Sequence, residues 1–369
     1  MYSPQHIVFS GGGTGGHLFP GLVVADELRR TDAALRITFA GCGREFEQRH
    51  VEAAGYGYLS ITCRPWPRRA WRLPGFALEH FRAVRTSEKF LREQGADLVV
   101  GLGGFASVPT ARAAVTLGVP LVLLEQNVVA GRANRWLAPF AARVCTAFHE
   151  TWDSLPATAC AVTTGNPVRV AHRKPRSANS EKLLLILGGS GGARELNEHV
   201  PSALAQCRAS LAGWSVVHQC GASAVETTRA AYDHVGVPAE IQPFVIDLLS
   251  LVSRADLAVC RGGGTTLAEL AAAEVPAIVC PWAGAADDHQ LRNAEVFLSL
   301  GACRLIDTRE TASALDARLA EALGELMSNE SARRDMALAM RRLANPTAAL
   351  LVAEVIRETI SPNARLRAA

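Results

Sequence analysis

The sequence predicts an α/β protein built as two Rossmann-like, doubly wound parallel-sheet domains facing a cleft. Apolar runs rich in Val, Ile and Leu alternate with longer stretches of helical period, the pattern of parallel strands covered by helices. The pattern is also written twice: His6–Ser10 leads into GGGTGGH and a helix, and Leu183–Leu187 leads into GGSGGA and another. Later in each half a second glycine turn follows a strand, LGGFASVP after Ala96–Gly101 and RGGGTTLAE after Ala255–Cys260. The length of 369 residues exceeds what one hydrophobic core usually organises.

Taken in chain order, the N-terminus has neither a basic segment ahead of an apolar run nor a small-residue cleavage site, so the chain is expected to stay in the cytoplasm. The longest uncharged apolar runs, such as Ala113–Leu124, broken by Gly118 and Pro120, fall short of a membrane-spanning helix. Gly165-Asn166-Pro167 interrupts structure and the stretch 171–182 is polar and basic, which marks a linker. The expected domains are therefore 1–166 and 167–343, the first bearing the acceptor and the membrane, the second the donor. Helices fill 310–359, interrupted at Asn345-Pro346, and the last of them, about 346–360, is expected to pack back on the N-terminal domain.

Composition narrows the function classes. With 49% hydrophobic and 20% charged residues the chain is globular. The nine cysteines are odd in number and form no CxxC pair, so they read as reduced and mostly buried, and no metal site is expected. A net charge of +3 argues against nucleic acid as a partner. The charge is uneven, however: Arg64–Arg92 carries eight basic and two acidic residues.

Glycine turns between a strand end and a helix start let phosphate oxygens approach backbone N–H groups at the positive end of the helix dipole. A dinucleotide enzyme should also place an acidic residue at the end of its second strand, but those strands end Phe39-Ala40-Gly41-Cys42 and Val217-His218-Gln219-Cys220. Neither half supplies the Gly-Lys-Ser/Thr of a P-loop. A nucleotide-sugar in one domain and an acceptor in the other fits what remains.

Six segments in order then carry a resemblance: GGTGGH with Pro20, GLGGFASVP, LEQNVVAGRANRWLA, TGNPVR, GGSGGARELN, and CRGGGTTLAELAAAEVPAIVCP followed by HQLRNA. Together they resemble the MurG family, the undecaprenyl-pyrophosphoryl-MurNAc-pentapeptide N-acetylglucosaminyltransferases of peptidoglycan synthesis. The resemblance implies a GT-B architecture and inverting transfer of GlcNAc from UDP-GlcNAc to the 4-hydroxyl of a lipid-linked MurNAc-pentapeptide. It also implies no cofactor or metal, a peripheral location on the cytoplasmic face of the inner membrane, and a cell-wall synthesis complex as a candidate partner. The alternatives are a UDP-GlcNAc epimerase or another UDP-sugar enzyme on the same fold, and a noncatalytic nucleotide-sugar sensor. The chain departs from the family pattern in Thr62–Gly75, at Phe105 where tyrosine is common, and at Gly262 where serine is common.

Roles follow residue by residue. Thr14, Gly15 and Gly16 are expected to face the acceptor pyrophosphate or the donor sugar. His17, beside a helix N-terminus that disfavours its protonated form, is the leading general base. Glu125, at the end of a strand, is the rival base, and Asn127 resembles the residue that bonds the donor sugar. Departing UDP needs counter-charge, expected from Arg169 and Ser190 with the N–H groups of Gly191, Gly264, Thr265 and Thr266. Glu269 resembles the ribose-binding carboxylate, the Val245 backbone is expected to read the uracil, and Gln290 to bond the sugar hydroxyls. Arg64, Arg68, Arg69 and Arg72 interleave with Trp66, Trp71 and Phe76, and Arg82 and Arg85 continue on a helical period. Aromatics at headgroup level with cations drawn to anionic lipid make a membrane patch.

Overall fold

The structure, a computed structural model, describes residues 5–67, 69–169, 180–189, 191–245 and 247–360. It divides into two compact units, Met1–Val168 with Thr347–Ala369, and Arg169–Pro346.

The first unit contains seven parallel strands: β1 (His6–Ser10), β2 (Arg36–Gly41), β3 (Gly57–Ser60), β4 (Leu98–Gly101), β5 (Leu121–Glu125), β6 (Arg143–Thr146) and β7 (Ala161–Thr163), in the order β3-β2-β1-β4-β5-β6-β7. The crossovers are α1 (Gly15–Thr31), α2 (Glu45–Ala53), α3 (Leu73–Glu93), α4 (Val108–Leu117) and α5 (Arg132–Leu137). Because helices cover both faces, the central strands are apolar on both sides. Ile7, Phe9, Val100 and Leu124 face a core shared with α1, while Val8, Val99, Leu121 and Leu123 face one shared with α3 and α4.

The second unit repeats the plan with β8 (Lys182–Leu187), β9 (Trp214–Gln219), β10 (Glu240–Gln242), β11 (Leu257–Cys260), β12 (Ala277–Val279) and β13 (Cys303–Leu305), ordered β10-β9-β8-β11-β12-β13 and parallel throughout. Its helices are α6 (Arg194–Gln206), α7 (Val225–Val235), α8 (Leu248–Arg254), α9 (Gly264–Ala272), α10 (His289–Ser299), α11 (Ala312–Ser328) and α12 (Glu330–Leu343). Asn329 starts α12 as an N-cap, accepting the Ala332 N–H at 3.0 Å. The nearly buried Arg333 closes the end of α11 by donating to the Leu326 and Met327 carbonyls, and its guanidinium lies 5.0 Å over Trp214.

The helical tail divides at Asn329 as well as at Asn345-Pro346. Its last member, α13 (Ala348–Ile360), belongs to the first unit, where Val352, Ala353, Ile356 and Ile360 share a core with Leu18, Leu22 and Leu28 of α1. In each sheet the strand order reverses between two neighbouring strands, β1 and β4 or β8 and β11, where an open α/β sheet presents its ligand crevice.

Candidate active site

In the first unit the turns after β1 and β4 flank this reversal. Gly11, Gly12 and Gly13 have φ of 140°, 148° and 83°, and Gly103 and Gly104 have 91° and 70°, conformations that L side chains rarely adopt. Thr14 precedes α1 and is exposed, Gly15 and His17 are half-buried, and Gly16 is exposed. The Thr14 hydroxyl lies 3.0 Å from His17 Nδ1. A Cβ on Gly103 would sit 3.2 Å from His17 Cδ2, and one on Gly104 would sit 3.5 Å from His17 Cε1. The imidazole thus rests against bare backbone, and the second glycine turn is its seat.

Beside it lies the loop after β5. Glu125 is 4% exposed, and four donors converge on its carboxylate. Oε1 accepts from the Asn127 backbone N–H at 3.0 Å and side-chain amide at 3.1 Å; Oε2 accepts from Gly131 N–H at 2.8 Å and Asn134 Nδ2 at 2.9 Å. A base must offer an oxygen to an incoming hydroxyl. Both oxygens here already accept from the loop, two donors on each. Asn134 also donates to the Leu124 carbonyl at 2.8 Å, and a Cβ on Gly103 would lie 3.4 Å from its Nδ2. His17, Gly103, Asn134, Glu125 and Asn127 therefore form one continuous row. The sequence contained Asn134 inside a quoted motif, yet only the structure reveals it as the link.

In the second unit the turn after β11 opens on α9, which starts at Gly264 and places the Thr265 and Thr266 N–H groups in its first turn. A turn further on, the half-buried Glu269 carboxyl is pushed up to about 7 by burial, against the opposing pull of the Arg169 guanidinium. Arg169 and Gly191 are exposed, Val245 is buried, and Ser190 lies outside the described residues, as does Arg68. Gln290, at the start of α10, accepts the Trp282 N–H on Oε1 at 2.9 Å, which makes Nε2 the donating end of its amide. A Cβ on Gly262 would collide with the Gln290 carbonyl, so glycine here follows from the close approach of α10. Asn293 fastens the same turn by donating to the Gly262 carbonyl at 2.9 Å. Arg261 ties it to α6 through a close ion pair with Glu195. Asp287 and Asp288 occupy left-handed backbone, with φ of 53° and 52°. Among the described residues, no three His, Cys, Asp or Glu side chains converge as a metal-binding set.

Comparison with known proteins places this geometry. Residues 7–146 match the glycosyltransferase family 28 N-terminal domain, and residues 183–350 match the family's C-terminal domain. The chain belongs to glycosyltransferase family 28. A Stutzerimonas stutzeri (strain A1501) protein is 39% identical over 370 residues, covering 96% of this chain and 98% of the relative. It is named UDP-N-acetylglucosamine–N-acetylmuramyl-(pentapeptide) pyrophosphoryl-undecaprenol N-acetylglucosamine transferase. A relative of the same name from Pseudomonas paraeruginosa (strain DSM 24068 / PA7) is 38% identical over 359 residues, covering 96% of this chain and 98% of itself. The crystal structure of Acinetobacter baumannii MurG matches with a TM-score of 0.73 at 30% identity, over 96% of this chain and all of that one.

The N-terminal family 28 domain also displays the aromatic and basic segment. Trp66, Trp71 and Phe81 are 64%, 68% and 59% exposed. Trp66 packs edge-on against Phe76 at 5.2 Å, Arg72 lies 4.7 Å over Trp71, and Arg85 lies 5.5 Å over Phe81. Arg64 pairs with Glu79 at 3.3 Å, while Arg69 and Arg82 are exposed. Sequence reading missed a second exposed cluster, in which Arg112 of α4 lies 6.0 Å over Trp136 and 5.6 Å over Phe140. No helix of the described residues is long and apolar enough to cross a membrane.

Proposed function

We propose that this family 28 chain transfers GlcNAc from UDP-GlcNAc to the 4-hydroxyl of MurNAc in undecaprenyl-pyrophosphoryl-MurNAc-pentapeptide, with inversion to a β-1,4 linkage. Its main support is the seating of His17 on Gly103-Gly104, at the strand reversal of a chain 39% identical over nearly its full length to a transferase of that name. The mechanism uses the tautomer in which Nδ1–H donates to Thr14 Oγ1, 3.0 Å away, so that Nε2 is the basic nitrogen. It takes the proton of the 4-hydroxyl as that oxygen bonds to the anomeric carbon. The bond from this carbon to the diphosphate breaks, and UDP leaves with the electron pair. Inversion follows from a single attack opposite the leaving group.

The second unit supports the donor in this reading. The N–H groups of Gly191, Gly264, Thr265 and Thr266, with Arg169 and Ser190, offset charge on the departing diphosphate. Glu269 accepts from the ribose hydroxyls, the Val245 backbone meets the uracil, and Gln290 Nε2 donates to the sugar. In the first unit, Thr14, Gly15 and Gly16 face the acceptor pyrophosphate and Asn127 the transferred sugar. Glu125 positions Asn127. Trp66, Trp71, Phe76 and Phe81, with the surrounding arginines, dock the enzyme on the anionic cytoplasmic face of the membrane where the lipid acceptor lies.

The test incubates purified protein with labelled UDP-GlcNAc, with and without the lipid-linked acceptor, under chelator. Label should enter lipid only with acceptor present, with equimolar release of UDP. Conversion of UDP-GlcNAc alone would favour the epimerase, and loss of transfer under chelator would contradict the metal-free mechanism.

A further inference from the structure

We infer that Glu47 is a positioning residue for the transfer: it fixes the Gly13 peptide and, through Thr14, sets the imidazole of His17. The inference rests on the assignment of His17 as base.

Gly11–Gly13 has no side chain with which to anchor itself. Gly11 is tied by its N–H to the Ala40 carbonyl at 3.0 Å, and Gly13 is anchored by Arg44, just before α2, and by Glu47 within it. Glu47 of α2, wholly buried, accepts the Gly13 N–H on Oε1, while Arg44 donates to the Gly13 carbonyl. Both peptide bonds flanking Gly13 are thereby held immediately before the turn that presents Thr14 and His17.

The Glu47 carboxylate is itself locked. Oε1 also accepts from the Cys42 thiol at 3.0 Å, and Oε2 accepts from the Tyr58 hydroxyl at 2.6 Å, whose oxygen in turn accepts the Gly43 N–H at 2.9 Å. Burial, reinforced by Glu47, pushes the Cys42 thiol up to about 11 and holds the Tyr58 phenol above its ordinary value. Both groups keep their protons at neutral pH and remain donors. Two glycines make room for the carboxylate. A Cβ on Gly12 would stand 2.7 Å from Oε1, and a Cβ on Gly41 would collide with Oε2 and the Tyr58 oxygen. Part of the glycine run thus houses an internal carboxylate and is not a phosphate cradle along its whole length. A residue so enclosed touches no substrate; it acts through the loop it holds.

Steady-state kinetics of the full chain with the lipid-linked acceptor, paired with thermal melts, test this. Glu47→Leu should fold, lose at least tenfold in kcat, keep its KM for UDP-GlcNAc within twofold, and shift the acid limb of the pH–rate profile. Glu47→Gln, which keeps an oxygen for the Gly13 N–H, should recover kcat to within threefold of wild type. If Glu47→Leu does not fold, Tyr58→Phe replaces it, with an expected kcat loss of about threefold and an unchanged KM. A folded Glu47→Leu with wild-type kcat, or one that changes only the KM for UDP-GlcNAc, overturns the inference. The same holds for a Tyr58→Phe that changes nothing. His17→Ala separates the two claims: full activity there sinks the base assignment and this inference with it. An inactive His17→Ala beside a fully active Glu47→Leu sinks the positioning role alone.

Discussion

Glu125 and Asn127 are joined twice, through the backbone N–H at 3.0 Å and the side-chain amide at 3.1 Å, both on Oε1 of the carboxylate. A group bound in this way orients its neighbour. Glu125→Ala removes the acceptor of the part-buried Asn127 and Gly131 N–H groups and of the Asn127 amide, while Asn134 Nδ2 keeps the Leu124 carbonyl; each donor left unsatisfied costs up to about 1–3 kcal/mol. The expected result is a lower melting temperature and a kcat reduced by about 10–100-fold, with the acid limb of the pH–rate profile unmoved. Kinetics across pH and calorimetry check both parts.

Gly262→Ala puts a methyl group into the Gln290 backbone. The displacement must move the start of α10, where Gln290 Oε1 meets the Trp282 N–H. The predicted outcome is a KM for UDP-GlcNAc raised about tenfold, equivalent to about 1.4 kcal/mol, with the acceptor KM unchanged. Equal effects on both substrates would contradict this placement.

His218 is fully buried between Asn197 and Tyr232. Asn197 Oδ1 lies 3.0 Å from Nε2 and the Tyr232 hydroxyl 3.0 Å from Nδ1, while Asn197 Nδ2 donates to the Cys220 carbonyl. Asn197 Oδ1 is thus the acceptor, Nε2 carries the proton, and Nδ1 accepts from tyrosine. Burial lowers the imidazole from 6.5 to about 3. The unfolded chain therefore binds the extra proton first, and stability falls as pH drops from 6.5 toward 3, by at most about 1.4 kcal/mol per pH unit from this residue. Above 6.5 it adds no slope. His218→Gln should flatten the acid side of a stability–pH curve and lower stability at pH 7. An unchanged acid slope would count against the account.

The exposed aromatics predict membrane binding. Replacing Trp66, Trp71 and Phe81 together by alanine should reduce sedimentation with phosphatidylglycerol vesicles at least fivefold, and high salt should weaken the residual arginine-driven binding. Turnover of a short-chain, water-soluble acceptor should stay at the wild-type level. Wild-type vesicle binding by the triple variant would remove the patch from the mechanism.

Much of the fold was legible because parallel strands covered on both faces must be apolar along their length, as in Leu98–Gly101 and Leu257–Cys260, and because glycine turns punctuate their ends. His17 was legible for the same local reason, since its motif places it just inside a helix. What stayed hidden arises between segments distant in sequence. The need for glycine at 12 comes from Glu47, and at 262 from Gln290; neither shows until α2 and α10 are in place. Glu125 invited a reading as base because it ends a strand at a ligand crevice, but only folding brings Asn127, Gly131 and Asn134 onto its oxygens. The exposed aromatic and basic segment was legible from residues 64–85, whereas Arg112 of α4 meets Trp136 and Phe140 only once segments more than twenty residues apart are folded together.

The most direct measurement is the pH dependence of kcat for His17→Ala set beside Glu125→Gln, with the lipid-linked acceptor. His17→Ala should lose about 10²–10⁴-fold and have no acid limb, as expected when a general base is removed, while Glu125→Gln keeps the limb where wild type has it. A limb that survives in His17→Ala and vanishes in Glu125→Gln would contradict the account and make the carboxylate the base.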